Sequence, residues 1–170
     1  MKILFRLLFF VLLGSVFSFS TCKYGFKDSA PIPLEIKNFR VNYLENKAQY
    51  VNTQLSPQLT ERLKSKIISN TRLTQTNSDD ADYDISGYVS QYFTSTVGIS
   101  GSQSNTNRLT VGFHLIFKNN HDETKNFETD IMRTFDFSAL ATLSEAESSL
   151  NEEIIKNVVD EIFNKIFSNW

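Results

Sequence analysis

One cysteine stands in the whole chain, Cys22, and its position says what its sulfur can do. A lone thiol closes no intramolecular disulfide. Lys2 and Arg6 make a positive start, Leu7 to Leu13 is an unbroken apolar run, and Gly14, Ser15, Ser18, Ser20 and Thr21 bring small residues up to Cys22. That is the layout of a bacterial secretory signal peptide, too short in its apolar run for a comfortable bilayer span. A thiol where such a leader ends is the acceptor expected for a lipid. Lipoprotein leaders usually carry Leu three residues before the cysteine and Gly, Ala or Ser just before it, whereas Phe19 and Thr21 occupy those places here. Cleavage near Ser20, leaving Cys22 as a free thiol, is therefore the alternative. Several acyl chains would anchor the protein firmly, each buried methylene adding roughly 0.8 kcal/mol. Lys23 rather than Asp follows Cys22, which by the sorting rule of Gram-negative bacteria favours the outer membrane over the inner.

Other chemistry is poorly supported. The two histidines, His114 and His121, have no metal-ligand spacing, and the chain has neither a G-x-S-x-G elbow nor a phosphate-cradling glycine loop. Asp79, Asp80, Asp82 and Asp84 form an acidic cluster, but a calcium loop starting at Asp80 would need Gly where Ile85 stands and Glu where Gln91 stands. A solvated turn before a strand is the expectation there. No enzyme, cofactor or metal site is expected. Without the leader's Lys2 and Arg6 the formal net charge goes from −2 to −4, and no basic run exceeds a dipeptide, so a nucleic-acid partner is not expected either.

The elements that would carry a non-catalytic function follow from periodicity. Residues 1–21 are the leader, 22–33 a tether containing Gly25, Pro31 and Pro33, and 34–170 one domain. Asp28-Ser29-Ala30 in the tether matches a short acceptor pattern for bacterial O-glycosylation. Leu34 to Leu44 alternates, with Phe39, Val41 and Tyr43 on one side, and reads as a strand. Ser56-Pro57 reads as the cap and first residue of a helix, with Leu59, Leu63 and Ile67 as its core stripe and its end near Asn70. Tyr83 to Thr94 alternates with Ile85, Val89 and Phe93 on one face, and the polar stretch Thr96 to Asn107 reads as a mobile surface loop. Arg108 to Lys118 is the clearest strand. Asn126 to Phe137 is the last, with Arg133 among its apolar residues, marking a frayed or bulged position or a register shift. Ser144 and Glu147 have capping-box spacing, and the wide stripe from Leu150 to Ile166 marks a second helix running almost to Trp170.

The order β-α-β-β-β-α predicts an α+β domain: two helices on one face of a roughly four-stranded sheet. Nothing remains to cover the other face, which would display Tyr88, Tyr92, Thr110, His114 and Ile116. Those residues are either scattered surface aromatics or a partner face with amphipathic tyrosines.

With these segments placed, the chain resembles the LptE family of lipopolysaccharide-assembly lipoproteins in its Bacteroidetes form. The resemblance rests on Val51-Asn52 and the helix Leu55 to Ile67, Ile85-Ser86-Gly87-Tyr88, Asn107-Arg108-Leu109-Thr110, Lys125-Asn126-Phe127-Glu128, and Ile162-Phe163-Asn164-Lys165 through Ser168-Asn169-Trp170. It implies an outer-membrane, periplasm-facing lipoprotein that plugs the LptD β-barrel and helps it assemble and pass lipopolysaccharide outward. Handling lipopolysaccharide would need cations for phosphate, and Arg108, Arg133 and Lys118 are the candidates in that order. The alternative is a lipoprotein that binds a glycolipid or glycan with no barrel partner.

Overall fold

Each amphipathic segment must bury one side, and the way they do so sets the architecture. The computed structural model describes residues 32–100 and 103–168; the leader, Cys22, the tether through Pro31 with Ser29, and Asn169 and Trp170 lie outside these. Its strands are β1 (Asn38–Val41), β2 (Glu45–Asn46), β3 (Thr74–Gln75), β4 (Tyr83–Ser100), β5 (Gln103–Asn119) and β6 (Phe127–Ser138). The helices are α1 (Leu55–Asn70) and α2 (Leu143–Phe167), with a short 3₁₀ turn at Glu123–Lys125. The sheet runs β3-β1-β4-β5-β6, with β2 also paired to β4, so it has six strands where four were expected. Two of them are only two residues long.

β4, β5 and β6 form the antiparallel meander, but β1 lies parallel to β4. A parallel neighbour requires a crossover, and α1 lies within it, between β1 and β4 in the chain. Leu59, Leu63 and Ile67 of α1 and Ile154, Val158, Ile162 and Ile166 of α2 are buried against Phe39, Ile85, Phe113, Leu115 and Phe117 of the sheet. Each such side chain is worth about 1.5–3 kcal/mol when fully buried. Gln58 with Asn151, Arg62 with Glu152 and Lys66 with Asp160 pair in ascending order along both helices, so α1 and α2 run parallel.

The first strand is shorter than its alternation suggests. Phe39 and Val41 are buried, but pairing with β4 stops there, and Tyr43 is 59% exposed. Both helix caps also shift from the expected residue. α1 starts ahead of Ser56, which is buried in its first turn; the Asn52 Oδ1 accepts from the Gln54 N–H and the Asn52 carbonyl from the Leu55 N–H. Pro57 still lies in the first turn, where its missing N–H leaves no helical bond broken. In α2 the capping box is Thr142 with Glu145, both reciprocal bonds being present. Thr142-Glu145 and Ser144-Glu147 have the same spacing, so the motif alone fits either.

The acids around the start of β4 are structural. Asp82 accepts from the backbone N–H of Lys37 at 2.7 Å and of Asn38 at 3.0 Å, and contacts His121 Nε2 at 2.6 Å. Arg40 forks onto Asp84 at 3.1 and 3.0 Å and pairs with Asp79. These bonds clamp β1 to β4, where only a solvated turn was expected.

Candidate face and the cleft beside the helices

The sheet surface away from the helices is built in cross-strand rows. Ser86, Ile116 and Glu128 form one; Glu45, Tyr88, His114 and Asp130 the next; then Gln91, Gly112 and Met132; then Phe93, Thr110 and Thr134; then Ser95, Arg108 and Asp136. Tyr88, Thr110, His114 and Ile116 thus stand on the open face, as their parity predicts. Tyr92 does not. β4 carries a bulge: Val89 pairs with Phe113 and Gln91 with Gly112, leaving Ser90 as the extra residue. An extra residue in a period of two swaps the faces of all that follows. Tyr92 is consequently 3% exposed on the helix side, and Phe93, expected in the core, is 49% exposed on the open face.

At the centre of that face the rings of Tyr88 and His114 lie 5.1 Å apart, and Lys47 Nζ sits 4.7 Å from the Tyr88 ring centroid. His114 Nδ1 is 2.8 Å from Asp130 and Nε2 3.4 Å from Glu128. The bond to Asp130 raises the imidazole pKa above its ordinary value, against a smaller opposing effect of desolvation and with further help from Glu128. Beside this polar group Phe93 and Met132, the latter 56% exposed, leave apolar surface on either side of Gly112. The face is therefore mixed: a charged and aromatic centre flanked by bare apolar side chains.

The three candidate cations do not converge. Arg108 lies on the open face in a bidentate pair with Asp136, at 2.6 and 2.9 Å, which raises the guanidinium pKa and lowers that of the carboxyl. Lys118 is exposed on the same face, ten positions along β5 and so about 33 Å away. Arg133 projects on the other side. It pairs with Glu161 of α2, and β6 keeps its register through Val111↔Arg133, so neither fraying nor a register shift is needed to explain it.

The expected loop Thr96 to Asn107 is instead the end of a long hairpin. β4 and β5 stay paired out to Ser100↔Gln103, while β6 ends opposite Thr106. The hairpin therefore overhangs the rest of the sheet, at the end towards which both helices point their N-termini.

Between those N-termini lies a cleft of about 470 Å³, which no sequence motif signalled. Glu147 of α2 accepts from Tyr50 Oη at 3.3 Å and from Asn52 Nδ2 at 3.1 Å there, its charge raising the Tyr50 pKa. Among the described residues no group of three or more His, Cys, Asp or Glu side chains could hold a metal, and no helix is long and apolar enough to cross a membrane.

Comparison with known proteins agrees with this geometry. No curated protein matches the sequence. Among solved structures, a minor lipoprotein from Acinetobacter baumannii superposes with a TM-score of 0.52 at 16% identity, over 78% of this chain and 94% of that one. An uncharacterized lipoprotein B from Nitrosomonas europaea gives 0.50 at 17% identity, over 77% and 83%. At these identities the likeness is one of fold. The family model for LptE, described as lipopolysaccharide-assembly, matches residues 36–166, from just before β1 to the last turn of α2. Because that match takes in every element of the sheet and both helices, this chain belongs to the LptE lipopolysaccharide-assembly family.

Proposed function

We propose that this protein is a non-catalytic lipoprotein of the outer membrane, anchored through a lipid on Cys22 and facing the periplasm. In this reading it plugs the lumen of an LptD-type β-barrel, helps that barrel assemble and helps lipopolysaccharide pass to the outer leaflet. The observation that carries the reading is the family match across the whole folded domain. The open sheet face supports it: hydroxyl, amide and charged side chains suit the polar interior of a barrel, and Phe93 and Met132 offer apolar contacts within it. The overhanging hairpin is the element we assign to entering the barrel. Arg108, already splayed to hold two carboxylate oxygens, is the cation best shaped to exchange Asp136 for a lipid phosphate.

The test is affinity purification of the tagged protein from its native outer membrane in mild detergent, with mass spectrometry of what is retained. One large β-barrel in near-equal amount is the expected result. Recovery of the protein alone, with the barrel present in the same extract, would replace this reading with that of a lipoprotein binding a glycolipid or glycan unaided.

A further inference from the structure

The cleft between the N-terminal ends of the helices has a lining chosen for a different ligand from the open face. Its walls carry one carboxylate, Glu147, the amides of Asn52 and Asn151, and the hydroxyls of Ser144 and Ser148. Among the described residues no lysine or arginine lines it. Nor is it a bare helix-end cradle for an anion, because Asn52 answers the start of α1 and the Thr142-Glu145 box that of α2. A phosphate or carboxylate would meet Glu147 with no countercharge. A neutral or amine-bearing ligand would not.

Tyr50, 46% exposed as a residue, forms one wall. Beneath it Tyr92 stacks with centroids 5.7 Å apart, and its buried hydroxyl interacts with Asn52 and Glu147 without well-formed hydrogen-bond geometry to either. Burial, the largest influence, pushes the Tyr92 pKa up, so this hydroxyl stays a neutral donor. A buried donor so weakly bonded is costly, and here its neighbours are the two groups that face the cleft. An exposed aromatic face, adaptable amides, a carboxylate acceptor and a weakly bonded donor are what a ring with many hydroxyls and an apolar C–H face requires. The volume falls within the roughly 300–1,000 Å³ of small-molecule sites.

We infer that this cleft binds a neutral or amino-substituted hexopyranose, which lies on Tyr50 and bonds through its hydroxyls to Glu147 and Asn52. Ligand hydroxyls that reach Glu147 from outside release it from Tyr50 and let it accept from Tyr92. The site is on the helix side of the sheet, away from the open face, and does not depend on a barrel.

Saturation-transfer NMR on the full chain in zwitterionic micelles tests this, maltoside detergents being avoided because they carry a sugar. The probes are glucosamine and N-acetylglucosamine, with glucose 6-phosphate as the anionic comparison. Transfer to the first two and not to the phosphate is expected. Ser148→Tyr, at an exposed helix position, should fill the cleft and abolish the transfer. Tyr92→Phe should weaken binding by about two- to tenfold, the worth of one net hydrogen bond. No transfer to either amino sugar, equal transfer to all three probes, or transfer that survives Ser148→Tyr would each overturn the site. Unchanged affinity in Tyr92→Phe would overturn the role given to its hydroxyl.

Discussion

The ring of Tyr92 lies on that of Tyr50 with their planes only 21° apart, and this stack exists because Ser90 is one residue too many in β4. Without the bulge Tyr92 would face outward and Phe93 would take its place in the core. The body of the ring and its hydroxyl should then behave differently on mutation. Tyr92→Ala removes a buried aromatic and should cost about 3–5 kcal/mol. Tyr92→Phe deletes an oxygen that makes no well-formed hydrogen bond and should leave stability within about 0.5 kcal/mol of wild type or above it. Urea titration of both variants separates the two effects; a large loss in Tyr92→Phe would show that the hydroxyl is bonded after all.

Gly87 faces the helix side of β4, where the Phe113 ring lies across it. A Cβ there would stand 2.7 Å from Phe113 Cζ and collide with the His114 carbonyl oxygen. Backbone cannot retreat from this contact as a flexible side chain could. Gly87→Ala should therefore destabilise the fold by about 3 kcal/mol. The same substitution at Gly112 meets Gln91 Cβ and Ser90 Oγ at 3.0 Å, a looser fit, and should be the milder of the two by thermal denaturation.

Arg108 and Asp136 are half exposed, so their pair adds little to stability. Arg108→Gln should leave the thermal midpoint nearly unchanged. If Arg108 grips a lipid phosphate, the same variant should lose most of its retention of lipopolysaccharide in a co-purification assay. Arg133→Glu should do the reverse, weakening the fold by setting two acids together against α2 while leaving lipopolysaccharide retention intact.

His114 titrates higher in the fold than in the unfolded chain, chiefly through Asp130. A raised pKa means the folded state holds the proton more tightly, so the gain in stability is complete below the ordinary value of 6.5. It is lost as pH rises through the folded value. Wild type should thus lose stability above pH 6.5 in a way that His114→Gln does not. Two-dimensional NMR of the imidazole would locate the midpoint, and a midpoint below 6.5 would contradict the pairing.

Cys22→Ser should release the protein from membranes into the soluble periplasmic fraction. Metabolic labelling with a fatty acid gives the direct check: label on wild type and none on the variant. A variant that stays fully anchored while wild type takes up no label would remove the lipid from the account.

Much of the fold is legible in the chain because it depends on local period. The stripe Leu59, Leu63, Ile67, the alternation from Leu109 to Phe117 and the apolar run down α2 each need one buried side, and each found it. Two helices on one face of a sheet follow from those stripes. The tertiary structure decided what depends on pairing between distant segments. Which strand β1 joins, and its parallel sense, rest on the Arg40–Asp84 fork and on Asp82 holding two amides some 45 residues away. The bulge at Ser90 is set by how β4 meets β5, and no alternation within β4 reveals it. Continued pairing to Ser100↔Gln103 likewise made a hairpin of a polar stretch whose composition suits a loop. Arg133 found Glu161 across the sheet–helix boundary, and Glu147 found Tyr50 and Asn52 across the helix ends. Periodicity tells each residue which way to face; only the packed chain tells it what it will meet.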